Sequence, residues 1–439
     1  MKILKHTSVR VKNHRIVNLL VAGLYLWFYD FVFKNYIAVL FDTPYFPMDE
    51  YMQCWYYISG ILPMFFYKGL KTVASLFSIF VYIFAYIPFN ESLSVCGYKS
   101  DFDDYRIVFF IFMCLFFMTD NIGILNRLFH KKATVSYKSF KNTVFAVLFI
   151  VVLLNFRNLH FTNFITNRDD LYDLRENLNI IGGSIVVYLI YWLKNILLPI
   201  VFVCSLIIKD RKSLFIAFVG SMLMYMIDQQ KITFVAPFVI YGLYCLYALN
   251  PKFIRYYFHI LIMGALIVIP FFCFIFMYYS DTLYEIASIV IMRTQCIEGM
   301  ELNTYFNWFG HSGKHPYTYY SHIGVVDAIT GAYPYDIALG KVVTNHGSNA
   351  NGMFWLMDGI AAAGLYGCII ISVLFIFVKS LFNGIGHKCK VELFAIFSLF
   401  AMSMTMNVSL FTALMSCGLL LVYILFMKVD FYMLANRKR

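Results

Sequence analysis

The chain has 439 residues, of which 61% are hydrophobic, 20% aromatic and only 13% charged. Soluble globular domains carry about 25% charged residues, and a water-soluble chain of this length needs far more polar surface, so a soluble enzyme is excluded. The formal charge of +11 falls in short separate clusters rather than on one basic face, which removes nucleic acid as a partner.

Apolar runs long enough to cross a bilayer recur from end to end, and they predict about twelve transmembrane helices in one membrane domain, residues 1–439. In chain order the spans are 17–40, 52–67, 70–89, 105–120, 142–156, 180–208, 213–229, 232–249, 257–279, 353–378, 391–406 and 409–427. Lys2, Lys5, Arg10, Lys12 and Arg15 precede the first run with no acid among them. That run is too long for a signal-peptide core and lacks a small-residue cleavage site, so it is expected to be retained. Asp30 and Lys34 lie four apart within it and are expected to form a structural pair. Further basic clusters are Arg127, Lys131, Lys132, Lys138 and Lys141, then Lys209, Arg211 and Lys212, then Lys388 and Lys390, and finally Arg437 to Arg439. With both termini cytoplasmic, every one of these loops falls inside, as the positive-inside bias requires. Asp42, Asp49 and Glu50 then fall outside, as do Asp101, Asp103 and Asp104.

The ten cysteines fall mostly within apolar runs with no C-x-x-C pair, so no disulfide or metal framework is expected. Asp101-Phe-Asp103 imitates the D-x-D of nucleotide-sugar transferases but lies outside, where such donors are absent. It reads as a solvated loop.

Two outside loops, 157–180 and 281–351, are too long to be simple connections. In the second, Leu283, Ile286, Val290, Ile297 and Met300 recur at helical spacing, followed by Tyr305, Phe306, Trp308 and Phe309. This pattern predicts a helix lying in the outer interface with its aromatics at headgroup level. External cations run against the topology rule. Arg157, Arg168 and Arg175 stand in the first loop, Arg293, Lys314, Lys341 and four histidines in the second, and Lys231 at the tight turn Asp228-Gln-Gln-Lys231. Pairing with local acids such as Asp173 and Glu176, or with lipid phosphate, accounts for any one of them. Their convergence points instead to an anionic ligand, and on the outer face that means a lipid-linked phosphate or diphosphate.

Tyr172-Asp-Leu-Arg175, Gln230-Lys-Ile-Thr-Phe234, Arg293 ahead of Tyr305-Phe306 and Phe309, and Asn349-Ala-Asn-Gly-Met-Phe-Trp-Leu-Met-Asp358 followed by Gly364-Leu-Tyr-Gly367 occur in that order. The order resembles the O-antigen and capsule repeat-unit polymerases of the Wzy type. One departure is Glu298-Gly299, where the family often has a Pro-Gly pair. The resemblance implies a GT-C-like glycosyltransferase architecture in the bacterial inner membrane. It implies joining of oligosaccharide repeat units carried on undecaprenyl diphosphate, donor and acceptor alike, at the periplasmic face. Membrane lipids and a chain-length regulator protein are its expected partners, and no cofactor is expected.

Arg175, Lys231 and Arg293 are the candidate cations for the diphosphate leaving group, whose charge develops as the glycosidic bond breaks. Glu298 and His311 join them as candidate catalytic groups. Tyr172, Tyr305, His315, Asn351 and Asp358 are candidate substrate contacts. For the general base, Glu298, Glu301, His311, His315 and Asp358 stay open. His311 and His315 have helical metal-ligand spacing, but Gly313 and Pro316 argue against a helix, and no metal is expected. An O-antigen ligase is the alternative enzyme. A flippase for the same lipid is the alternative of another class, and it should carry charge along a central path, where this sequence reads as sparse.

Overall fold

The computed structural model describes residues 14–97, 102–130, 132–160, 181–310, 315–345 and 349–435. The first outside loop from residue 161 to 180, with Tyr172 and Arg175, and His311 lie outside the described residues. Among the described residues the chain is helical, with no strand and a single isolated bridge between Val135 and Val429.

The helices in order are α1 (Arg15–Leu40), α2 (50–66), α3 (Val73–Val95), α4 (Asp103–Met118), α5 (Tyr137–Leu154), α6 (Gly183–Ile208), α7 (Arg211–Asp228), α8 (Lys231–Leu249), α9 (Pro251–Met277), α10 (281–309), α11 (354–362), α12 (365–382), α13 (Val391–Asn407) and α14 (Leu410–Lys428). Among the described residues, eight segments are long and apolar enough to cross a membrane: α1, α3, α5, α6, α8, α9, the stretch Trp355–His387 and α14. The chain is thus a polytopic helical membrane protein. Side-chain N-caps fix where several of the helices begin. Asp49 caps α2, Thr72 α3, Ser136 α5, Asp210 α7, Asn250 α9 and Ser280 α10.

Two sets of connections gather at opposite ends of the bundle. At one end the amide of Leu70 donates to Arg255 O, the Asn383 side chain joins Ala74, Asp120 and Ile122, and Val135 meets Lys428. Lys141 pairs with Asp210 at 2.9 Å and Arg255 with Glu392 at 2.7 Å at this same end, which carries the basic loops. At the other end Phe46 bonds Val95, His160 bonds Met226, Asn303 approaches Cys96, and Thr318 bonds Ala361.

The stretch Trp355–His387 is not one continuous helix. Ala363 and Gly364 leave helical geometry, Gly364 at φ +60° and ψ −136°, a region open only to glycine. The chain reverses there. Trp355 Nε1 donates to Ser372 Oγ at 2.7 Å, and a side chain at Gly367 would collide with the carbonyl of Gly359. Helix α11 therefore runs antiparallel to α12 and against it, with the expected span 353–378 corrected to α12 and its continuation. At 1.5 Å per residue Ser372 stands about 15 Å above Phe382, near mid-bilayer. The segment before Trp355 thus dips into the bundle, and α11 climbs back to the non-basic end. Irregular backbone at that depth is tolerated only where protein surrounds it. Here Phe89, Phe109, Phe116 and Phe375 surround Phe354 and Trp355.

Two further expectations change. Helix α10 forms over the expected residues, but three of the four expected aromatics are turned into protein. Tyr305, Phe306 and Phe309 are buried, with Phe306 packed on Phe102 and Tyr105. Its second half lies against α3, where Gly299 meets Pro88 and Ser92 too closely for any side chain. Asp30 and Lys34 do not pair directly. A π-turn at Phe33–Ile37 rotates Lys34 away, and both converge on Tyr45, whose hydroxyl donates to Asp30 Oδ1 at 3.2 Å while Lys34 lies 5.9 Å from its ring centre.

Candidate functional site at the non-basic end

The re-entrant segment positions the polar groups. Asp358, halfway along α11, is fully buried. Its Oδ1 lies 3.0 Å from His322 Nε2, and its Oδ2 accepts the amide of Leu410 at 2.6 Å. His322 Nδ1 lies 2.9 Å from Thr318 Oγ1. The last turn of α11 leaves carbonyls without helical partners, and the amides of Thr318 and Tyr319 fill Ala361 O and Ala362 O. One buried carboxylate thereby ties together the re-entrant helix, the loop 317–322 and the start of α14. The turn is held in a strained form, with Tyr319 at φ +45° and Tyr320 at φ +67°.

Glu298, Glu301 and Tyr305 line the path by which the chain descends. Glu298 Oε2 accepts the amide of Met353 at 3.3 Å, and Tyr305 OH donates to Ala350 O at 3.2 Å. Tyr305 also faces Glu301 and Asp358. Burial raises both glutamate carboxyls well above their ordinary value of 4.5, and Glu301 raises Glu298 further, while Arg293 opposes the rise at Glu301. A carboxyl raised on folding holds its proton more tightly in the folded state, so the stability it contributes is lost as pH climbs from 4.5 through the folded value. Thermal unfolding in detergent should therefore show falling stability from pH 5 to 9. Glu298→Gln/Glu301→Gln should flatten that slope. An unchanged slope in the double variant would show that these carboxyls do not carry it.

Arg293 is exposed within the π-turn Met292–Cys296 of α10, and Asn351 is exposed ahead of α11. His315 is half-buried, its ring stacked 3.8 Å from that of Trp308, whose Nε1 lies 3.5 Å from Tyr335 OH. Trp308 is thus fixed between His315 and Tyr335. Lys231 stands on a separate element, as the first residue of α8 after the turn from α7. There Asp228 Oδ2 pairs with the buried Lys194, Asp228 Oδ1 accepts the Gln230 amide at 3.0 Å, and Gln229 sits at φ +56°. Glu298 and Asp358, by contrast, have no open face and act through the backbone they hold.

His322 escaped the sequence reading because nothing in Tyr319-Tyr-Ser-His322 marks it apart from other loop histidines. Lys194, Asp120 and Lys379 were hidden inside apolar runs. Charge within the spans is accordingly less sparse than expected. Lys379 pairs with Asp120 at 2.8 Å, Lys194 pairs with Asp228, and Glu91 is buried near Asp30 and Tyr56. Compared with models of known families, with curated proteins and with solved structures, the chain matches none.

Proposed function

We propose that this chain is a twelve-span glycosyltransferase of GT-C-like architecture that joins undecaprenyl-diphosphate-linked repeat units into polysaccharide at the outer face of the bacterial inner membrane. Helices α2, α4, α7 and α13 are the four additional crossings, since each joins the same two ends as the longer spans. The basic end faces the cytoplasm. What supports the reading is one-sidedness: Lys231, Arg293, His315, Asn351 and the re-entrant segment all belong to the end opposite the basic loops. A transporter needs charge that can exchange access between two sides. Here the two buried cation–carboxylate pairs, Lys379–Asp120 and Lys194–Asp228, are locked in separate parts of the bundle.

In this mechanism the outer cations, Arg293 and Lys231 with Arg175, stabilise the diphosphate as the growing chain leaves its lipid. Trp308 and His315 offer a fixed aromatic surface to sugar rings. The acceptor hydroxyl of the incoming repeat unit attacks the anomeric carbon, the sugar–phosphate bond breaks, and the hydroxyl proton passes to the departing diphosphate or the outer aqueous phase. Glu298 and Asp358 keep the re-entrant backbone in place without touching substrate.

Arg293→Ala should lower glycan extension by about a hundredfold or more, the usual cost of losing one preorganised charge-stabilising group, with membrane insertion unchanged. Extension rates read on purified protein check this. Full activity in both Arg293→Ala and Lys231→Ala would remove the leaving-group role.

A further inference from the structure

We propose that the short helix Gly324–Thr330, with the turn that follows it, lies in the bilayer leaflet at the non-basic end, its partner being the boundary between acyl chains and headgroups. This holds whether or not the chain is a polymerase, and it adds a lipid contact beyond the spans.

Three observations carry it. The first is what the helix shows to its surroundings. From Ile323 to Tyr335 the sequence holds one charged residue, Asp327. Val325 and Ile329 stand four apart and so share a face of the helix, 70% and 80% exposed, with Ala328 exposed beside them. Asp327, two residues from each of them, projects from the other side. An uncharged apolar face this open marks a contact with lipid or protein. Val39 of α1 and Ile185 of α6, comparably open, are span residues whose cover is lipid.

The second observation is that the polar groups are met from within. Asp327 Oδ1 accepts the amide of Tyr333 at 3.2 Å, and the carbonyl of Asp327 accepts the amide of Gly331 at 2.7 Å. Thr330 Oγ1 donates to Val326 O at 2.8 Å and accepts the amide of Ala332 at 3.3 Å. The hydroxyls of Tyr333 and Tyr335 donate to Ile337 O at 2.9 Å and Pro316 O at 2.7 Å. A turn in water can leave such groups to the solvent. At the edge of the hydrocarbon an unmet polar group is costly, and this turn is built for that edge.

The third observation is depth. The amides of Thr318 and Tyr319 bond Ala361 O and Ala362 O at the end of α11. Those carbonyls follow Trp355, near mid-bilayer, by less than two turns, so they stand about 10 Å from the midplane, where the hydrocarbon ends at about 15 Å. The short helix begins just after this point and so starts at the boundary. Tyrosines flank it there, Tyr319 exposed and Tyr333 and Tyr335 half-buried, the residue type that collects at this level. His322, which meets Asp358 at 3.0 Å, immediately precedes the helix. The lipid contact thereby fixes the re-entrant segment against the bilayer.

The test places a fluorescent unnatural amino acid at position 328 of the full chain in phosphatidylcholine nanodiscs, with or without bromine midway along the acyl chains. The probe should lose about half of its emission in brominated lipid and little to dissolved iodide. Val325→Ser/Ile329→Ser should reverse that ranking, Val325→Leu/Ile329→Leu should preserve it, and melting temperatures check that each form is folded. Strong quenching by iodide and none by bromine overturns the proposal in favour of a water-facing turn. Protection from both quenchers overturns it in favour of a protein partner, such as a second copy of the chain. A ranking that the folded Ser pair leaves unchanged overturns the part given to the apolar face.

Discussion

Asp358→Ala should melt well below the wild type and should extend no glycan. The substitution strips His322 Nε2 and the Leu410 amide of their shared acceptor in a site without water access. Orphaning buried donors costs about 1–3 kcal/mol each, and a volume the size of a carboxylate group is left behind. The loss is not local. Loop 317–322 and the start of α14 are both tied to this carboxylate, so the re-entrant helix loses its outer anchor. Asp358→Asn should fall between the two, because its amide oxygen can still accept from Leu410 while its charge-assisted contact to His322 is gone. Thermal unfolding in detergent, run beside an extension assay, checks the order wild type, Asn, Ala. An Ala variant that melts like the wild type would show that the carboxylate does not hold the segment.

Lys379→Met should be comparably destabilising for a different reason. Lys379 Nζ lies 2.8 Å from Asp120 Oδ1 and 3.1 Å from Ser78 Oγ, and it also donates to the carbonyl of Phe116. Nothing here is exposed. Removing the ammonium strands a buried carboxylate, at a cost of about 3–5 kcal/mol. Replacing the pair by apolar groups of similar volume avoids both the desolvation and the stranded charge. Lys379→Met/Asp120→Leu should therefore recover most of the lost stability, and it should retain glycan extension because the pair is remote from the non-basic end. A double-mutant cycle in melting temperature and extension rate measures this. Additive losses would show that the two groups act independently.

Much of the fold was legible because bilayer spans advertise themselves by length. Every expected span but 353–378 corresponds to a helix, and the basic loops among the described residues, around Lys138 and Lys141, Lys209 to Lys212, and Lys388 and Lys390, collect at one end. The re-entrant segment was not legible, since Met353 to Val378 reads as one apolar run. Its signal was the small-residue stretch Gly359-Ile-Ala-Ala-Ala-Gly364 with Gly367, which permits reversal and close packing but equally suits a straight span. The helical spacing of α10 was correct, yet periodicity does not say what covers the apolar face; α9 covers its first half and α3 its second. A π-turn leaves no sequence mark, so the separation of Lys34 from Asp30 could not be foreseen. At the site, Asp358 stood out through its Asn-rich approach, whereas His322 depended on a contact 36 residues away.

The most direct test of one-sided glycosyl transfer is reconstitution. Purified full-length protein in liposomes would be supplied with undecaprenyl-diphosphate-linked repeat units alone, and products separated by size. A ladder of lengthening glycans that disappears in Arg293→Ala is the predicted result. No ladder, with the same lipid carried across the bilayer instead, would contradict it.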